Sequence, residues 1–119
     1  KIIKISNREY TIKSSAYTQF KYKNDTGRNL LSDLQSIKNK TDGKKDEEMI
    51  YALDDMLDVV LRITYNMIDE AGDDKVGSYE DFLKSIDGLM EDSQWLVDAI
   101  EVAIAPLSGG NKTSSPQAK

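Results

Sequence analysis

Residues 46–71 hold no glycine or proline, and Met49, Leu53, Met56, Val60, Ile63 and Met67 recur along them at spacings of 4, 3, 4, 3 and 4. Such a period marks one face of an α-helix. Ile50, Leu57, Leu61 and Ile68 widen the apolar stripe. Asp46, Glu47 and Glu48 place negative charge at the helix start, where the macrodipole favours it, and Gly72 supplies a stop. The pattern predicts one long central helix that the remaining elements pack around.

The flanking segments read as shorter pieces. Ile3 and Ile5 alternate with Lys4, and Tyr10 and Ile12 with Thr11 and Lys13, across a Ser6–Glu9 turn containing Asn7. Period-two alternation around a turn former predicts a β-hairpin, which is marginal in water and must lie against helices. Ser14 or Ser15 caps a first helix to about Thr26, with Tyr17 and Phe20 as its inward stripe and Gly27 as its stop. A second helix runs from about Asn29 to Lys38, with Leu30, Leu31, Leu34 and Ile37 inward, and Asn39–Lys45 is a loop. After a loop at Asp73–Gly77, Ser78 and Asp81 form a variant capping box. The helix it opens runs from Tyr79 to about Asp87, with Phe82, Leu83 and Ile86 inward. Asp92 or Ser93 caps a last helix to about Ala105, on which Trp95, Leu96, Ala99, Ile100 and Ala103 share a face. Pro106 is expected to stop it. The expected class is α+β, mainly α: a short N-terminal hairpin packed on a bundle of about five helices. Residues 1–107 form one domain, and residues 108–119 a flexible polar tail.

The chain has 119 residues, no cysteine and no histidine. Thiolate and imidazole chemistry, disulfides and Cys/His zinc sites are thereby excluded. Asp54 and Asp58, at i and i+4 with Asp55 between them, read as the solvated side of the long helix and not as cation ligands. Asp69–Asp74 lacks the glycine position and final glutamate of an EF-hand loop. No glycine-rich phosphate motif occurs. No catalytic, cofactor or metal residue is assigned, and the chain is expected to be no enzyme. No apolar run is long enough to span a membrane, and Lys1–Ile5 is too short for a secretory core.

Charge is distributed unevenly. Residues 1–45 carry eleven Lys/Arg against four Asp/Glu, a net of +7, and residues 46–119 carry five against seventeen, a net of −12. Either the two halves fold together and partly neutralise each other, or the molecule stays polar and stacks or meets a charged partner. The net charge of −5 argues against a dedicated nucleic-acid binder. One basic-aromatic cluster, Lys13, Tyr17, Phe20, Lys21, Tyr22, Lys23 and Arg28, is nevertheless the kind of set that holds single strands when its rings are free.

The order of elements carries a resemblance. Ile3-Lys4-Ile5-Ser6-Asn7-Arg8-Glu9-Tyr10-Thr11-Ile12 opens the chain, followed by Tyr17, Phe20, Asp25-Thr26-Gly27 and Asn29-Leu30-Leu31-Ser32-Asp33-Leu34. A long apolar helix, a Ser-Tyr-Glu-Asp helix start and a last helix before a polar tail complete the series. Over residues 1–107 this order is similar to that of the tail assembly chaperones of long-tailed, siphovirus-type bacteriophages; Lys13-Ser14-Ser15 is more polar than in that family. The resemblance implies a non-catalytic protein of the infected bacterium's cytoplasm, absent from the mature virion. It would bind the tape measure protein, keep it soluble, help recruit the tail tube protein and self-associate. On that reading the expected partner-binding residues are Met90, Trp95, Leu96 and Ile100. The competing expectation is a small phage nucleic-acid-binding or regulatory protein that uses the basic N-terminal half.

Overall fold

A computed structural model describes residues 1–72, 76–86 and 94–113. Strands β1 (Ile2–Ile5) and β2 (Arg8–Thr11) pair antiparallel with Ile3 opposite Tyr10 and Ile5 opposite Arg8. The turn is therefore only Ser6 and Asn7, tighter than the four residues expected. Their φ values of 49° and 71° are both left-handed, as the twist of a two-residue hairpin requires. Ile3, Ile5, Tyr10 and Ile12 all face inward and are buried. The chain leaves the hairpin through a backbone bond from Lys13 N–H to the Met67 carbonyl at 3.2 Å.

Helix α1 (Ala16–Thr26) starts at the Ser15 cap and ends at Gly27, φ 73°. Helix α2 (Leu30–Thr41) starts at Asn29, whose side chain accepts from Ser32 N–H at 3.0 Å. It buries Leu30, Leu34 and Ile37 but leaves Leu31 exposed, and it runs three residues past the expected end at Lys38.

The long central helix is broken. Helix α3 (Asp46–Ala52) is followed by a 3₁₀ turn (Asp54–Met56) and then by α4 (Leu57–Glu70). Leu53, at φ −92° and ψ 6°, is the joint. Two consecutive aspartates follow it, and Asp is a poor helix former. The break lets Leu53 and Met56 enter the same core as Val60, Ile63 and Met67. The apolar period therefore persists although the helix does not. Met49 is only half-buried.

Helix α5 (Tyr79–Lys84) has the expected capping box, with Asp81 N–H donating to Ser78 Oγ at 3.0 Å. It ends earlier than expected, buries Phe82 and leaves Leu83 exposed. Tyr10, Tyr65, Tyr79 and Phe82 form one aromatic cluster that joins hairpin, α4 and α5. Helix α6 (Gln94–Thr113) packs on β1, α2, α3 and α4. It continues past Pro106, where a stop was expected, and takes in the first residues of the expected flexible tail. A proline inside a helix removes a single backbone donor, so it weakens a turn without always ending the helix. Among the described residues no helix is long and apolar enough to cross a membrane.

Candidate partner-binding surface

The face of α1 that meets the core is not the one its aromatic spacing indicates. Thr18 and Tyr22 are buried, whereas Tyr17 is 52% and Phe20 66% exposed. Thr18 lies one residue past Tyr17, which is about 100° around the helix. Specific polar anchors set this rotation. Ser15 Oγ and Thr18 Oγ1 both donate to the Glu70 carboxylate near the end of α4. Asp25 is bridged by Lys21 at 3.0 Å and by Arg62 of α4 at 3.1 Å. Burial alone would raise the Asp25 pKa, but the bonds from Lys21 and Arg62 outweigh it and hold the carboxyl below its ordinary value.

The inner anchor is Asp33 on α2. It accepts from the Tyr22 hydroxyl at 2.6 Å and from Arg28 Nε and a terminal Arg28 nitrogen at 2.8 and 2.9 Å. The guanidinium fork holds the Asp33 carboxyl below its usual range, while burial and then the Asp33 bond push the Tyr22 phenol up. A low carboxyl and a high phenol, both already saturated, make a clasp and not an acid–base pair poised for proton transfer.

With that clasp closed, the outer face of α1 presents Ala16, Tyr17, Gln19, Phe20, Lys23 and Asn24, all exposed. An open depression of about 540 Å³ is lined by Ala16, Gln19, Phe20, Lys23 and Asn24. Positions 16, 20 and 24, and 19 and 23, are the i±4 rows that interdigitate when a second helix packs across a first. Exposed Lys13 lies just before the helix. The only acid of α1, Asp25, is already engaged twice, so the face is cationic and aromatic.

The expected site residues lie elsewhere. Trp95, Leu96 and Ile100 are 2%, 0% and 4% exposed, so they fill the core under the hairpin and α4 instead of forming a surface. The stripe that identified them is the stripe α6 buries. Met90 lies outside the described residues. Sequence reasoning missed Tyr17 and Phe20 as surface groups because it assigned them to the core. The available signal was the alternative row, Thr18 and Tyr22, with matching acids at Glu70 and Asp33.

A second cleft of about 250 Å³ is lined by Tyr22, Thr26, Arg28, Asp58, Val59, Arg62 and Tyr79. Its two guanidiniums are matched to Asp33 and Asp25, and that of Arg62 also sits 4.5 Å over the Tyr79 ring, so the cleft offers no unpaired cation to an anion. Asp54 and Asp58 fall on the 3₁₀ turn and on α4, so they do not share one helix face. No group of three or more acidic side chains among the described residues is placed to hold a metal ion.

Fold and surface together define, among the described residues, a mainly helical fold with an N-terminal hairpin and an exposed aromatic-cationic face on α1. Comparison with known protein families, with curated proteins and with solved structures gives no match.

Proposed function

We propose that this chain is a non-catalytic assembly chaperone of the phage-tail type, binding the tape measure protein and helping recruit tail tube subunits in the infected cell's cytoplasm. The supporting observation is the outer face of α1. Polar anchors turn Tyr17 and Phe20 to solvent, and rings left exposed beside cations are the composition of interface anchors. The helical client would lay an apolar, acid-flanked stripe along the i±4 rows of α1. The order of sequence elements supplies the phage assignment. Co-expression of the chain with a fragment of a phage tape measure protein tests the reading. A soluble complex that is lost on Phe20→Asp is expected; a client that stays insoluble with the wild-type chain contradicts it.

The same observation supports a second reading. Tyr17 and Phe20 beside Lys13 and Lys23 could stack bases of a single-stranded nucleic acid. Retention on single-stranded DNA or RNA at low salt, lost steeply as salt rises, is its signature. The acidic remainder of the chain opposes it.

A further inference from the structure

The seam between α1 and α4 is made mainly of polar groups. Of the eleven residues of α1 only Thr18 and Tyr22 are buried, against seven of the fourteen in α4. Tyr22 is thus the single large apolar side chain that α1 sinks into the core, and it already belongs to the Asp33 clasp. The other ties are Ser15 and Thr18 on Glu70, and Asp25 on Arg62. Arg62, Asn66 and Glu70 stand at i, i+4 and i+8, so they form one row of α4 beneath α1. Among the described residues, every buried side-chain polar atom without a protein partner lies in that row: Arg62 Nε and both polar atoms of Asn66. Closure of α1 therefore desolvates groups that it does not satisfy, a cost relieved when water reaches them. Both ends of the helix are jointed. Before it, Lys13 N–H is bonded to the Met67 carbonyl, which holds the hairpin exit on α4 and leaves Ser14 and Ser15 as the link. After it, Gly27 at φ 73° separates α1 from α2, which is anchored by its own buried Leu30, Leu34 and Ile37.

We propose that α1 is a hinged arm that lifts from α2 and α4 as one unit while the hairpin and the other described helices stay folded. Few buried apolar contacts are lost on opening, which is the condition for a local opening well below the free energy of global unfolding. Asn66 and Arg62 Nε gain water in the open state. Tyr17 and Phe20 stay on the outer side of the arm, and Tyr22 is bared on its inner side, so the open arm is aromatic on both. A ligand that takes the inner side holds the arm open, whereas one that takes only the outer side has no preference between the two states. This inference goes beyond the client reading and needs no client.

Hydrogen exchange of the full chain, read by mass spectrometry on peptides from α1, α4 and α6, tests it. The amides of α1 should exchange as a group, with protection at least about 30-fold below that of α4 and α6. Ile100→Val trims the core on α6, which packs on β1, α2, α3 and α4. It should speed exchange in α4 and α6 about fivefold and leave α1 unchanged, because lifting the arm does not expose residue 100. Asn66→Leu removes the unpaired amide, so α1 should exchange no faster than in the wild type and up to about fivefold slower. Far-UV circular dichroism establishes that each variant is folded. An α1 protected as strongly as α4 in the wild type overturns the proposal. So does fraying alone, with the ends of α1 fast and its middle as slow as α4. Equal acceleration of α1 and α4 by Ile100→Val overturns it as well, since α1 would then open only with the whole fold. Faster exchange of α1 in Asn66→Leu does the same, because the seam would then have held no unmet polar group. None of these results depends on a tape measure fragment, so failure here is distinct from failure of the client reading.

Discussion

Tyr17 and Phe20 stand one helical turn apart with ring centroids 6.2 Å from each other, both on the solvent side of α1. Their position follows from what lies beneath them. Thr18 and Tyr22 are tied to Glu70 and Asp33, and a helix fixed at those points has no rotation left that would bury its rings. On the proposed function, an aromatic pair held outward by one buried and one partly buried polar bond is preorganised for contact, which reduces the ordering cost of binding.

Removing one ring should separate binding from stability. Phe20→Asp leaves the core untouched, so its urea midpoint should stay within about 0.5 kcal/mol of the wild type. On the proposed function, its retention of a tape measure fragment should be lost. Equal loss of stability and binding would show that Phe20 supports the fold.

The Asp33 clasp should be a stability element. Tyr22→Phe deletes one buried hydrogen bond and should cost about 1 kcal/mol. Asp33→Ala costs more, about 2–3 kcal/mol, because it leaves the buried Tyr22 hydroxyl without its acceptor. Urea titration of both variants measures the difference.

Acid should loosen the same region. Asp33 and Asp25 both have carboxyls held below their ordinary values in the folded chain. The stability they add is therefore present above the unfolded carboxyl pKa of about 3.9 and is lost as pH falls through the lower folded values. Denaturant midpoints measured from pH 7 down to pH 2 should fall on this limb, and Asp33→Asn should flatten it.

Asn66 is 2% exposed, and its side-chain nitrogen and oxygen find no protein partner. It lies on α4 one turn from Arg62 and one from Glu70, the residues that hold α1. Replacing an unpaired buried amide with an apolar side chain of similar size should be neutral or add about 1 kcal/mol. Thermal unfolding of Asn66→Leu checks this. A loss above about 2 kcal/mol would show that the amide is satisfied.

Local punctuation was legible in the sequence. Asn7 in a turn, Ser15 as cap, Gly27 as stop and Ser78 with Asp81 as a capping box each act within a few residues of themselves. The apolar period between Leu53 and Met67 was legible as core, but the joint at Leu53 was not. Residues before and after the break face the same interior, so their spacing is that of a continuous helix. The rotation of α1 was hidden for a different reason. Its buried row is half polar, and the acids that satisfy it come from α2 and α4, far along the chain. The site followed that error: Trp95, Leu96 and Ile100 have an anchor's composition, yet the core consumes them, while the rings assigned to the core remain free.

Co-purification tests the central claim most directly. On the proposed function, the chain should be co-expressed with a fragment of a phage tape measure protein, as wild type and as Phe20→Asp. The account predicts a soluble complex with the wild type and an insoluble client with the variant. Equal recovery of client with both proteins, or with neither, would contradict it.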